Sequence, residues 1–195
     1  MIIRKLFKFE GAHVVRNCTS ERCKYSVHGH SYKVEILLAS FGLDNGQMVV
    51  DFGLLKGRLK ELVDSFDHAI TLWASDDPDY VESMKKHSAR WIVMPVSPSA
   101  EQFARVFYTL ADQVLRTTKF ANNEGHVEVH SVIVHETDTG YAQAFGSDCL
   151  GMAMDVSYME FSDAIISEWV NPNLFKGLWD GSIHVNPTPV IQVPL

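Results

Sequence analysis

The chain has little cysteine: three residues in 195, an odd number. That count supplies no disulfide framework and points to a reducing, cytoplasmic setting. No apolar run approaches the length of a membrane span. The opening MIIRKLFKFEGAH alternates charge with apolar side chains instead of building a signal-peptide core. Blocks of Lys or Arg are missing and the net charge is −7, so a nucleic-acid footprint is not expected. A phosphorylated small molecule stays compatible with that charge, because a few local cations suffice to bind it. Internal repeats and low-complexity tracts are absent too. With 46% hydrophobic residues, the chain reads as one globular domain, 1–195, with a sizeable core.

What is there is organised by period. Residues 2–13 and 31–39 alternate as strands do, with the polar stretch Val14–Val27 as an excursion between them. The turn LDNG at 43–46 ends the second strand, and Asp51 can cap a helix whose apolar stripe is Leu55, Leu59, Leu62 and Phe66. A second helix starts at Ser99, where Ser99 and Gln102 fit a capping box. It buries Phe103, Val106, Phe107, Leu110 and Val114. After NNEG at 122–125, His126–Glu136 reads as a strand, and Tyr141–Phe145 returns after the turn TDTG. The order ββααββ predicts an α+β fold, an antiparallel sheet with two helices on one face.

Two segments fall outside that core of residues 1–145. The insertion 71–98 holds a short helix from Asp77, with Pro78 at its first position, then the apolar run WIVMPV. The extension 146–195 holds a helix starting near Ser157 or Ser162 and ending before Asn171-Pro172. Its tail, dotted by Pro172, Pro187, Pro189 and Pro194, is expected to be extended. Trp169 and Trp179 need a surface to cover, on this chain or on a neighbour. WIVMPV and this tail are expected to cover apolar surface around an assembly.

The chemistry gathers around histidine. In an extended segment, residues two apart share a face, so His28 and His30 project together with Tyr32, Val34, Ile36 and Leu38. Phe7, Phe9 and His13 share one parity in the first strand. Pairing the two strands would bring three imidazoles to one point, an open zinc site of the kind that does chemistry. The bland alternatives are a His-Gly-His turn beside an unrelated His13, or a closed structural site of Cys18, Cys23, His28 and His30, which leaves His13 idle. Cys23, beside such a site in a polar loop, could act as base or nucleophile. Cys149 reads as a bystander. Asp67-His68 is suited to proton relay, or is merely a helix-end cap. Glu136 could hold a ligand with adjacent N–H donors, or be an exposed turn residue.

FKFEGAH, C-x4-HGHSY, GQMVVDFGLLK, FDHAI, PSAEQFA and VHETDTG follow one another across residues 7–145. In this order they resemble the 6-pyruvoyl-tetrahydropterin synthase / 6-carboxy-5,6,7,8-tetrahydropterin synthase family. The resemblance implies a tunnelling fold whose subunits close a trimeric barrel and pair into a hexamer, with active sites at subunit boundaries. There Glu136 can face the zinc of an adjacent chain. It implies zinc on His13, His28 and His30, Cys23 as the catalytic thiol, Asp67 and His68 as its relay, and Glu136 as the pterin anchor. The implied activity is a zinc-dependent lyase that converts 7,8-dihydroneopterin triphosphate to 6-carboxy-5,6,7,8-tetrahydropterin for the queuosine route. The alternatives are the pyruvoyl-forming synthase and a pterin-binding assembly protein without turnover.

Overall fold

A computed structural model describes residues 1–185 of the chain. β1 (Ile2–His13), α1 (Glu21–Tyr25) and β2 (His28–Ser40) form its first unit. β1 and β2 pair antiparallel along their length, with Phe7 opposite Val34, Phe9 opposite Tyr32 and His13 opposite His28. The alternation holds as expected: Phe7, Phe9, His13, Tyr32, Val34, Ile36 and Leu38 are all buried on one face. β2 begins three residues earlier than its periodicity suggests, because the pairing with β1 runs on through His30, Gly29 and His28. Glycine is required there, since a Cβ at Gly29 would stand 2.9 Å from the Gly11 carbonyl oxygen.

The expected helix after Asp51 is broken into α2 (Phe52–Lys56) and α3 (Arg58–Asp64). Asp51 caps it as read, accepting from the Gly53 N–H. Gly57, the residue type with most backbone freedom to lose in a helix, is where the geometry breaks (φ −88°, ψ −122°). Leu55, Leu59, Leu62 and Phe66 nevertheless all reach the core. Next come β3 (Ala69–Trp73), α4 (Pro78–His87) and β4 (Trp91–Met94), then α5 (Ala100–Arg116), capped by Ser99 accepting from Gln102 N–H. The five expected apolar positions of α5 are buried against the sheet. The short β5 (Thr118–Lys119) precedes β6 (Val127–His135) and β7 (Tyr141–Ala144), which extend the antiparallel sheet beside β2.

The sheet is larger than four strands. Its order is β7-β6-β2-β1-β3-β4-β8, where β8 (Glu160–Phe161) follows α6 (Met152–Val156) in the extension. β3 runs parallel to β1 and to β4. AITLW and WIVM are almost wholly buried, so they show no apolar–polar alternation and do not announce themselves as strands. Asp77 caps α4 as expected, through Tyr80 N–H. That helix packs Val81 against Ile70, Leu72 and Val93 on the side of the sheet away from the main core.

The extension folds back on its own subunit, contrary to the expected cover around an assembly. Phe161, Ile165, Trp169, Leu174 and Leu178 join the core cluster that begins at Phe7. The Trp169 indole N–H donates to Ser65 Oγ at 2.9 Å. The expected helix is α7 (Asp163–Ile166), starting after Ser162 and ending before Asn171; α6 precedes it unannounced, and turns and β9 (His184–Val185), which pairs with β5, follow. Pro187, Pro189 and Pro194 lie outside the described residues. Among the described residues, β1 meets β3 only at Gly11 and Ala12, so most of its outer edge is unpaired, as is that of β7.

Candidate metal centre and active site

Strand alternation carries His13, His28 and His30 to the core face at the end of the β1–β2 ribbon, next to Tyr32. Their ligand atoms lie within 4.8 Å of one another, a set able to hold a metal ion. The ring centroids stand 4.5 Å apart for His13–His28 and 5.2 Å for the other two pairs. Below them Phe103 stacks on His13 at 6.3 Å, and Phe9, Phe66 and Phe107 complete an aromatic floor.

Burial, then the neighbouring imidazoles, lowers the pKa of His13 to about 4, so the ring is neutral at pH 7. Its Nδ1 lies 2.6 Å from the Pro98 carbonyl oxygen. A carbonyl only accepts, so Nδ1 carries the proton and Nε2 keeps its lone pair for a ligand bond. The same logic applies to His28, whose Nδ1 lies 3.0 Å from the Ser26 carbonyl. Two of the three imidazoles are thus held in the tautomer that a metal requires. The donor set fits zinc: three imidazole nitrogens, one short of the four ligands that zinc takes.

Glu136 sits at the rim. Its Oε1 is 3.6 Å from His13 Nε2 and 3.9 Å from His30 Nε2, and the Tyr32 hydroxyl donates to it at 3.5 Å. Burial, reinforced by Glu136, pushes the Tyr32 phenol above its ordinary range, so it remains a donor. The carboxylate thus lies beside the histidines of its own chain. Tyr32 was legible as a member of the histidine face but not as a partner of Glu136, which lies 104 residues away. The Pro98 carbonyl left no trace in the sequence at all.

Cys23 lies on α1, and its carbonyl accepts from Val15 N–H at 3.0 Å. Among the described residues, neither Cys18 nor Cys23 joins the ligand cluster, so the closed four-ligand alternative is not the set that the fold gathers. The Cys18 thiol donates to the Ser20 carbonyl instead. Cys149 is half-buried, and burial pushes its thiol up to about 11, which suits an inert bystander.

Asp67 and His68 are brought together, but elsewhere. Asp67 Oδ2 lies 2.9 Å from His68 Nδ1, and Oδ1 accepts from the Glu10 N–H at 2.8 Å. Burial alone would raise the Asp67 carboxyl; the Glu10 N–H and His68 hold it below its usual range. The His68 side chain is 73% exposed. It opens onto a cavity of about 790 Å³ lined by Glu10, Gly11, Ala12, Gly29 and Ser31, and His30 of the imidazole cluster lines the same cavity. Among the described residues, the pair is not part of the ligand set that His13, His28 and His30 form.

The whole chain aligns at 37% identity with all of a Helicobacter pylori protein named 6-carboxy-5,6,7,8-tetrahydropterin synthase. An Aquifex aeolicus protein of the same name is 32% identical over 72% of this chain and 95% of its own length. Among solved structures, an uncharacterized Wolinella succinogenes protein superposes with a TM-score of 0.58 at 22% identity, covering 75% of this chain and 98% of its own. The 6-pyruvoyltetrahydropterin synthase of Plasmodium vivax gives 0.53 at 18%, covering 74% and 97%. These two likenesses establish the fold. The family model for 6-pyruvoyl tetrahydropterin synthase matches residues 2–147, the stretch that holds every histidine of the cluster together with Cys23, Asp67, His68 and Glu136. With that match and relatives of this identity, the chain belongs to the 6-pyruvoyl tetrahydropterin synthase family.

Proposed function

We propose that the chain is a zinc-dependent lyase converting 7,8-dihydroneopterin triphosphate to 6-carboxy-5,6,7,8-tetrahydropterin, in the cytoplasm and for the queuosine route. The observation that carries this reading is the three-imidazole cluster at the end of the β1–β2 ribbon. The name of the full-length Helicobacter pylori relative favours the carboxy product. His13 and His28 would bind through Nε2, with His30 as third ligand. When bound, zinc supplies a Lewis acid that polarises the side-chain oxygens of the substrate.

This chain's residues do the rest. Glu136, oriented by the Tyr32 hydroxyl, accepts adjacent pterin N–H groups and anchors the ring over the aromatic floor. Cys23 removes a proton from the substrate side chain, and Asp67 with His68 exchange protons at a second position. The family resemblance implies active sites at subunit boundaries, where a neighbouring subunit presents that pair to each imidazole cluster. The unpaired edges of β1 and β7 suit such an assembly: joined between copies, they close a barrel and remove exposed backbone groups. The homohexamer of two trimers, each chain a single domain, is what the family resemblance implies for such a barrel.

Incubating the zinc-loaded protein with the triphosphate and weighing the products tests the reading. Carboxypterin with acetaldehyde is the expected outcome. Triphosphate loss with a pyruvoyl-pterin would make the chain the other synthase, and unchanged substrate would leave a binding protein.

A further inference from the structure

The excursion between β1 and β2 carries Cys23 on a helix of only five residues, too short to hold itself in place. Two separate ties hold its C-terminal end. Ser26, the residue after the helix, offers its carbonyl to His28 Nδ1, so one tie runs straight to a proposed zinc ligand. The other tie is Arg16. Its Nη1 donates to the Lys24 carbonyl at 2.8 Å, one of the helix's otherwise orphan C-terminal acceptors. Next to it, Val15 N–H takes the Cys23 carbonyl.

Arg16 is in turn gripped from the insertion. Its Nε lies 3.0 and 2.9 Å from the two carboxylate oxygens of Asp76, whose side chain is only 9% exposed. The guanidinium carbon stands 4.7 Å from the ring centroid of Tyr80, on the first turn of α4. One planar cation thus meets a carboxylate, an aromatic face and a helix-end carbonyl at once, a task that a lysine ammonium cannot duplicate. Asp76 is fixed independently, since its Oδ1 also accepts from Asp77 N–H.

We propose that Arg16, locked by Asp76 and Tyr80, is a positioning residue that holds the Cys23 helix in register with the imidazole cluster. The insertion would then do more than widen the sheet: it sets the reach of the thiol. The idea rests on the reading of Cys23 as the reacting thiol. A displacement of about 1 Å at a reacting group can cost on the order of 10²-fold in rate.

The test uses the full-length, zinc-loaded chain in a Cys18→Ser, Cys149→Ser background, where Cys23 alone can be alkylated. Asp76→Asn keeps the side-chain volume, and Arg16→Lys keeps the charge. The readouts are kcat and KM, zinc content, the iodoacetamide rate at Cys23, and tryptic cleavage after Arg22 and Lys24. Expected for both variants are faster cleavage and an altered alkylation rate with unchanged zinc. kcat should fall roughly 10- to 100-fold with little change in KM. Unchanged cleavage and alkylation would overturn the proposal, whether or not kcat falls; so would loss of zinc in step with kcat. If the parent protein shows no turnover, the functional reading fails by itself. The tether is then judged on cleavage and alkylation, which need no substrate.

Discussion

β1 meets β2 over twelve consecutive residue pairs but meets β3 over two. The first contact joins neighbours in sequence through a short excursion and places every histidine of the proposed metal cluster. The second joins strands separated by β2 and three short helices, runs parallel, and brings no metal-ligating cluster with it among the described residues. Antiparallel ribbons can be written locally, because alternation alone tells each side chain which face it occupies. Parallel strands buried on both faces carry no such code, and their place is settled by what surrounds them. The proposed metal ligands lie on the ribbon, and the added layer buttresses it.

The sharpest way to break this comparison is at the ribbon's end. His13→Ala should abolish zinc binding and turnover together. The expected loss of affinity exceeds the roughly 10- to 100-fold that follows when only a supporting hydrogen bond is removed. Far-UV circular dichroism should be nearly unchanged, because an open site does not hold the fold together. Metal analysis and dichroism on one preparation settle it. If Cys18→Ala and Cys23→Ala each emptied the site instead, the closed four-ligand arrangement would be the true one.

Cys23→Ala should come next in size. Zinc stays, pterin still binds, and turnover drops by roughly 10²- to 10⁴-fold, the range for a lost general base. Cys149→Ala, by contrast, should leave steady-state rates as they are, since burial keeps that thiol protonated. Equal losses in the two variants would remove the distinction between the ribbon thiol and the added-layer thiol.

On the buttressing side the readout is stability. Trp169 is 7% exposed and tied to Ser65, so Trp169→Ala should cost about 3–5 kcal/mol in urea unfolding. Zinc content in the folded protein should not change. A cost under about 1 kcal/mol, the level of a surface substitution, would mean that the extension is a loose cover and not part of the core.

The smallest effect belongs to the solvent side of the ribbon. Burial alone would raise Glu35, but hydrogen bonds from His135 and Arg4 hold it below the ordinary carboxylate range. A carboxyl depressed in the folded state adds stability above its ordinary pKa and loses it as pH falls through the lowered value. Glu35→Gln should therefore melt lower than the parent at neutral pH, and the gap should close on acidification below the ordinary range. A gap that does not depend on pH would show that shape, not charge, matters there.

Much of this was legible residue by residue. Phe9, His13, His28, His30 and Tyr32 declare one face by parity, and Ser99 and Asp77 declare helix starts by their side-chain acceptors. The break at Gly57 was only half legible: glycine weakens a helix, but many helices tolerate one. β3, β4 and β8 were not legible as a sheet, for their apolar runs fit a buried helix segment equally well. Asp67 and His68 were found as a pair, yet nothing in their sequence says that the Glu10 N–H holds the carboxylate.

By itself, then, the sequence determined which side chains share a face, because period-two alternation is a property of the backbone and needs no distant partner. It thereby determined that three imidazoles converge. Only the tertiary structure decided what holds them: the Pro98 carbonyl on His13, the Glu136 carboxylate at the rim, and Asp76 on Arg16 behind the thiol. Each of those partners lies dozens of residues away along the chain. Hydrogen bonds and ion pairs act over a few ångströms, so they exist only once packing has brought remote segments together.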